Sequence, residues 1–213
     1  MNRLVATYKK MIDSEYGQVI GELTVNWKKS YNNKECNMGN YFTDVLRIST
    51  KSDFALLNSG AIRKEMEPGP IRIVDILEIL PFENRVVTFT CSGKDLLTLC
   101  STNGRASLFQ EHDGLQVSGI MYSMEKIGES NMKIIEPTIN GHPIDPKCQY
   151  TGATVDYVVI DNANKYMGFK PQELIITEQI LSDVVIKYMQ KLPRVSSKME
   201  KRMLVLPPKR PVI

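Results

Sequence analysis

Asp53-Phe54-Ala55-Leu56-Leu57-Asn58-Ser59-Gly60-Ala61-Ile62-Arg63 is the stretch from which the fold reads outward. Its first five residues form a short apolar run that stops at Asn58-Ser59-Gly60, the pattern of a buried strand entering a turn. An asparagine at a strand's end, a glycine allowing close backbone approach and an arginine three residues on make a small polar pocket. Asn58 offers a donor and an acceptor, which suits the edge of a nucleobase or an amide. Arg63 offers a fork for phosphate or carboxylate. Taken alone, the same residues also describe a structural turn.

Upstream, Leu4, Val5, Tyr8, Met11 and Ile12 are spaced for an amphipathic helix over 3–13, and Val19 to Val25 reads as a strand. Asn37 is placed to cap a helix carrying Met38, Phe42, Val45 and Leu46 on one face. Downstream, Asp75 to Leu80 reads as a short helix closed by Pro81, and Val86 to Cys91 as a strand rich in β-branched residues. Gly93 opens a further helix with Leu96, Leu97 and Leu99. Strands are expected over Leu115–Met121, Met132–Ile135 and Gln149–Ile160, then a helix over Thr177–Lys191 capped by Thr177 and stopped by Pro193. After Pro193 come three more prolines and the basic residues Arg194, Lys198, Lys201, Arg202, Lys209 and Arg210, which read as a peripheral extension. Strands and short helices alternate without a strict βαβ rhythm. The expected class is α+β, a mixed sheet with short flanking helices.

Composition narrows the function. The chain has 213 residues, 42% of them hydrophobic and 24% charged, which is the range of a folded domain. A net charge of +3 is too small for the concentrated basic face of a nucleic-acid protein, and the proline-broken basic tail reads as a solvated extension. No run of about 20 apolar residues spans a membrane. Phosphate loops of the Walker type, G-x-S-x-G elbows and H-E-x-x-H motifs are absent. His112 and His142 are the only histidines, and both sit in turn sequences, so no metal pair is expected on this chain. Cys36, Cys91, Cys100 and Cys148 lack close pair spacing and read as mostly buried thiols.

Two further segments carry chemistry. In Pro81-Phe82-Glu83-Asn84 a phenylalanine follows a proline at the mouth of a strand, where it either walls a stacking site or plugs the core. Asp156-Tyr157 leads into the loop Asp161-Asn162-Ala163-Asn164-Lys165-Tyr166, and its ring is a candidate second wall. Paired aromatic faces sandwich planar bases, each stack being worth about 1–3 kcal/mol.

The order of several segments resembles the C-terminal domain of the 5′-nucleotidase / UDP-sugar hydrolase family. They are Glu35-Cys36-Asn37-Met38-Gly39-Asn40-Tyr41-Phe42-Thr43-Asp44, Asn58 to Arg63, Ile79-Leu80-Pro81-Phe82-Glu83-Asn84, Gly114-Leu115-Gln116-Val117-Ser118-Gly119 and Val155-Asp156-Tyr157. The resemblance runs from about Val19 to about Met189.

It implies two-domain phosphohydrolases, usually secreted or periplasmic, whose N-terminal domain holds a divalent metal pair such as zinc or manganese. The D-x-H and G-N-H-D/E metal motifs of that domain are missing, so the resemblance is to the substrate-recognition half alone, with no catalytic residue and no cofactor of its own. The implied organisation is a linker helix over 1–17, a recognition domain over 18–192 and the extension over 193–213. The implied ligand is a nucleotide, nucleoside or nucleotide-sugar. Asn58 would touch the base edge, Gly60 would allow close approach, Arg63 would meet phosphate, and Phe82 and Tyr157 would stack the base. Asn164 stands where the family has a ribose-holding aspartate, and Lys34 is a partial substitute for a phosphate-binding arginine. The start of the chain, Met1 to Val5, lacks a secretory signal, which leaves either a cytoplasmic protein or a chain beginning after such a segment. The alternative reading is a diverged interaction module that keeps the fold but has lost nucleotide binding.

Overall fold

A computed structural model describes residues 16–31 and 33–207. The expected helix over 3–13 lies outside the described residues. Three sheets and the helices packed on them share one apolar core, in which Trp27, Phe42, Phe54, Phe89 and Tyr166 are fully buried.

The strand at Phe54–Asn58 (β2) is buried along its whole length, as its unbroken apolar run requires. It belongs to a mixed five-stranded sheet whose other strands are Arg85–Ser92 (β4), Leu115–Ser118 (β5), Gln149–Val155 (β9) and Gln172–Ile180 (β10). The order is β10-β4-β9-β2-β5. β2 runs parallel to β9, while β4 and β5 run antiparallel to their neighbours.

A second sheet joins Val19–Leu23 (β1), Gly69–Arg72 (β3) and Arg194–Val195 (β11). The third joins Ile120–Ile127 (β6), Asn131–Ile139 (β7), His142–Pro143 (β8) and Met203–Val205 (β12). The α+β class is therefore as expected. The β7–β8 turn uses Asn140 and Gly141, both at positive φ (49° and 83°), as an Asn-Gly hairpin signal demands.

Helices lie at Asn37–Thr50 (α1), Ile73–Ile79 (α2), Gly93–Phe109 (α3), Asp156–Val159 (α4), Ala163–Met167 (α5) and Leu181–Lys191 (α6). α3 opens on a capping box in which Ser92 Oγ accepts from Asp95 N–H and the Asp95 carboxylate accepts from Ser92 N–H.

Several local expectations are corrected. The cap of α1 is Cys36, whose Sγ accepts from Gly39 N–H at 3.2 Å, while Asn37 instead bridges Asn26 and Lys28 across the preceding loop. The strand expected over Leu115–Met121 is two strands, because Gly119 turns the chain at φ 80° with no room for a side chain against Asp53 O. Gln149–Ile160 is a strand only to Val155, after which Asp156 opens α4, and the loop expected at Asp161–Tyr166 contains α5. Thr177 caps no helix. It lies in β10, where pairing with β4 extends the chain to Ile180 and its hydroxyl donates to Val86 O at 2.9 Å.

The largest correction concerns the tail. Residues 194–207 are woven into the fold through β11 beside β1 and β12 beside β6, and Val195, Arg202 and Met203 are buried. The Arg202 guanidinium donates to Asp44 Oδ2 (2.7 Å), Glu200 Oε2 (2.8 Å) and Val117 O (2.8 Å). Charge count alone suggested a solvated tail, but the arginine is buried because partners meet each face of its fork.

Candidate functional site

Strand register brings separate segments to one edge of the five-stranded sheet. Parallel pairing of β2 with β9 puts the C-terminal ends of both strands, Asn58 and Val155, on that edge. β4 is antiparallel to β9 with Val86 opposite Val155, so the approach to β4 through Phe82 and Asn84 arrives there too. β5 is antiparallel to β2 with Leu115 opposite Asn58, which delivers Asp113 and Gly114. Ligand sites in mixed α/β sheets commonly form outside the carboxyl ends of parallel strands, where backbone and side-chain groups converge.

A cavity of about 420 Å³ opens at this edge, lined by Asn58, Gly60, Arg63, Phe82, Asn84, Asp113 and Tyr157. Of the residues expected from the sequence, Asn58, Gly60, Arg63, Phe82 and Tyr157 are brought together. Asn164 is not: it is exposed on α5 and does not line the cavity. Lys34 lies elsewhere, in a separate hollow with Lys28, Lys29 and Tyr31. Asp113 and Asn84 were missed. Asp113 was read as part of a turn, and only the register of β5 against β2 reveals its position.

The scaffold around the cavity is held by hydrogen bonds. After β2 the chain makes a 3₁₀ turn at Ser59–Ala61, fixed by Ser59 N–H to Gly114 O at 2.8 Å, and Arg63 N–H donates to Ile79 O at 2.9 Å. Buried Gln116 accepts from Cys36 N–H and donates to Lys34 O and Ser59 Oγ, locking the start of α1 to the turn. Asn58 is 5% exposed, and its Oδ1 has no hydrogen-bond partner. An unpartnered buried acceptor is costly, so one beside a cavity points to a donor supplied from outside.

Phe82 and Tyr157 are each 47% exposed, far more than core aromatics, and the Arg63 guanidinium lies 5.9 Å from the Phe82 ring centre. The core-plug reading of Phe82 is thereby excluded. Tyr157 also leans on the buried Tyr166 ring, 6.2 Å between centroids. Asp113 receives Tyr166 Oη (2.7 Å) and Lys165 Nζ (3.0 Å). Partial burial pushes the Asp113 carboxyl up, but these two donors outweigh it and hold the group below the ordinary aspartate range. The same burial and the Asp113 charge push the Tyr166 hydroxyl upward. Both groups therefore keep fixed charge states at neutral pH, Asp113 ionised and Tyr166 protonated.

Among the described residues, no group of three or more His, Cys, Asp or Glu side chains could hold a metal, so the residues present do not fit a metal pair. Cys36, Cys91 and Cys100 are buried, with thiols pushed up to about 11, 12 and 12 by burial, and Cys148 is exposed. Those three thiols are poor nucleophiles.

The family profile described as "5′-nucleotidase, C-terminal domain" matches residues 19–170. The chain belongs to this family. Among curated relatives, Endonuclease YhcR of Bacillus subtilis is 27% identical over 164 residues, covering 76% of this chain and 13% of that protein. Protein UshA of Salmonella pullorum is 28% identical over 153 residues, covering 66% of this chain and 26% of that one. An apyrase of Tabanus yao is 27% identical over 173 residues, covering 67% and 31%. This 5′-nucleotidase C-terminal domain thus spans a third or less of these relatives. In fold it resembles a 5′-nucleotidase precursor from Thermus thermophilus, with a TM-score of 0.82, 23% identity and coverage of 96% of this chain and 43% of that one. The NAD nucleotidase of Haemophilus influenzae gives 0.79 at 19% identity, covering 97% and 41%.

Proposed function

We propose that this domain is the nucleotide-recognition half of a phosphohydrolase that acts on nucleotide phosphate esters or nucleotide-sugars. One observation carries the reading: segments distant in sequence supply two exposed aromatic rings, an unpartnered amide acceptor and a guanidinium to a single cavity. A planar ring between Phe82 and Tyr157 gains stacking, its N–H edge donates to Asn58 Oδ1, and a phosphate meets the Arg63 fork. Gly60 keeps the floor open.

In this reading the domain's own residues bind and orient the substrate. Bond cleavage belongs to a separate metallophosphatase domain carrying a divalent metal pair such as zinc or manganese, in an extracellular or periplasmic protein. Among the described residues no helix is long and apolar enough to cross a membrane. Nucleic acid is not the proposed ligand, because the basic residues of the tail are dispersed and Arg202 is internally paired.

A second reading, an interaction module without nucleotide binding, is favoured by one specific fact: Asn164, at the family's ribose-contact position, is outside the cavity. Binding of adenosine to Tyr157→Ala and Asn58→Ala separates the two. The nucleotide reading expects each change to weaken binding by about tenfold. Unchanged affinity in both variants favours the second reading.

A further inference from the structure

We propose that Asn162 and Tyr166 are positioning residues that set the Tyr157 ring as a stacking wall before any ligand arrives, with Asp113 as the anchor of Tyr166. The inference rests on the nucleotide reading and deepens it. Neither positioning residue lines the cavity, so each acts through Tyr157.

Tyr157 needs such support. It stands on α4, a helix of four residues, and its side chain is 47% exposed. So short a helix has little stability of its own. Its backbone is gripped from both sides instead: Tyr157 N–H donates to Asp156 Oδ1 at 2.8 Å, and Asn162 Nδ2 donates to Tyr157 O at 2.8 Å. The ring then leans on Tyr166, with 6.2 Å between centroids and 56° between planes.

Tyr166 is a fixed post. It is fully buried, its Oη donates to Asp113 Oδ2 at 2.7 Å, and the His112 ring packs edge-on against it at 5.6 Å. Lys165 Nζ lies 4.6 Å from the centre of the Tyr166 ring and donates to Asp113 Oδ1 at 3.0 Å. A hydroxyl bonded to a charged acceptor is held more firmly than one bonded to a neutral group. The far end of α5 is seated on α3, where a Cβ on Gly168 would run into Thr102 Oγ1. The Tyr157 ring therefore rests on a side chain fixed both by the segment before β5 and by α3. An aromatic wall already in place loses less conformational freedom when a base stacks on it, which favours affinity. This gives the segment around α5 a role without direct ligand contact, in keeping with Asn164 lying outside the cavity lining.

The test is a double-mutant cycle, read by calorimetric titration of the full chain with adenosine. Tyr166→Phe keeps the buried ring and cuts its tie to Asp113; Asn162→Ala releases the Tyr157 carbonyl. Each is made in the wild-type and in the Tyr157→Ala background. In wild type each substitution should weaken binding by about threefold or more. In Tyr157→Ala the same substitutions should change affinity by less than about 1.5-fold, because the ring they position is gone. Equal weakening in both backgrounds overturns the proposal, since it marks a general structural role, and so does unchanged affinity in the single variants. Should Tyr166→Phe fold poorly, the Asn162→Ala arm decides alone. Nucleotide recognition survives either of those results. Failure of wild type to bind adenosine overturns the nucleotide reading itself, and this inference with it.

Discussion

The guanidinium of Arg63 stands 5.9 Å from the centre of the Phe82 ring, joining the charged end of the cavity to one of its aromatic walls. Arg63 Nη1 also donates to Gly60 O at 3.3 Å, so the side chain is braced by the turn that follows β2. A braced arginine loses less rotational freedom when it engages an anion. Replacing Arg63 by methionine keeps much of the packing on Phe82 and removes the fork. AMP binding should weaken by about tenfold or more and adenosine binding by much less, as read from paired titrations. Equal weakening of both ligands would show that Arg63 does not serve the phosphate.

The tail is integral to stability. Arg202→Ala removes a buried guanidinium that serves the partly exposed Asp44 and Glu200 carboxylates and Val117 O. The expected loss is about 3 kcal/mol, seen as a lower urea midpoint. A variant as stable as wild type would return the segment to the status of a peripheral extension.

Gln116 links elements far apart in sequence, accepting from Cys36 N–H and donating to Lys34 O and Ser59 Oγ. Gln116→Leu strands those groups in the interior and should cost about 2 kcal/mol. Chemical denaturation checks the value. Because the Ser59 turn borders the cavity, nucleoside affinity should fall in the same variant.

The Asp113 carboxyl is held below the ordinary aspartate value, so its ionised form stabilises the folded state. That contribution is present above the unfolded value near 3.8 and disappears as pH falls through the lower folded value. Wild type should therefore exceed Asp113→Asn in urea midpoint by a constant margin from about pH 8 to 5, and the margin should shrink as pH falls below the unfolded value of 3.8. A margin that persists at acid pH would mean that the charge is not what Asp113 contributes.

Much of this was legible in the sequence because it depends on local pattern. The apolar run of β2, the Asn58–Arg63 turn, the start of α3 at Gly93 and the Asn-Gly hairpin are decided by neighbouring residues. Asn58, Gly60, Arg63, Phe82 and Tyr157 could be named from their segments. The misreadings lie where tertiary pairing decides. Thr177 has the chemistry of a helix cap, but hydrogen bonding to β4 holds it in a strand. Arg202 has the chemistry of a solvated tail, but carboxylates and a carbonyl drew it inside. Asp113 looked like turn chemistry because its position is set by the pairing of the following strand, β5, with β2, Leu115 opposite Asn58, which are far apart in sequence. No local pattern reports such a register, nor does one report that α5 holds Asn164 outside the lining of this cavity.

The central claim is that this domain grips a nucleotide in the cavity between Phe82 and Tyr157. Its most direct test is calorimetric titration of the full chain with AMP, in wild type and in Phe82→Ala. The account predicts saturable binding by wild type that is about tenfold weaker in the variant, whose exposed ring can be removed without opening the core. Absence of binding up to about millimolar AMP, which corresponds to less than about 4 kcal/mol of affinity, or equal binding by both proteins, would contradict it.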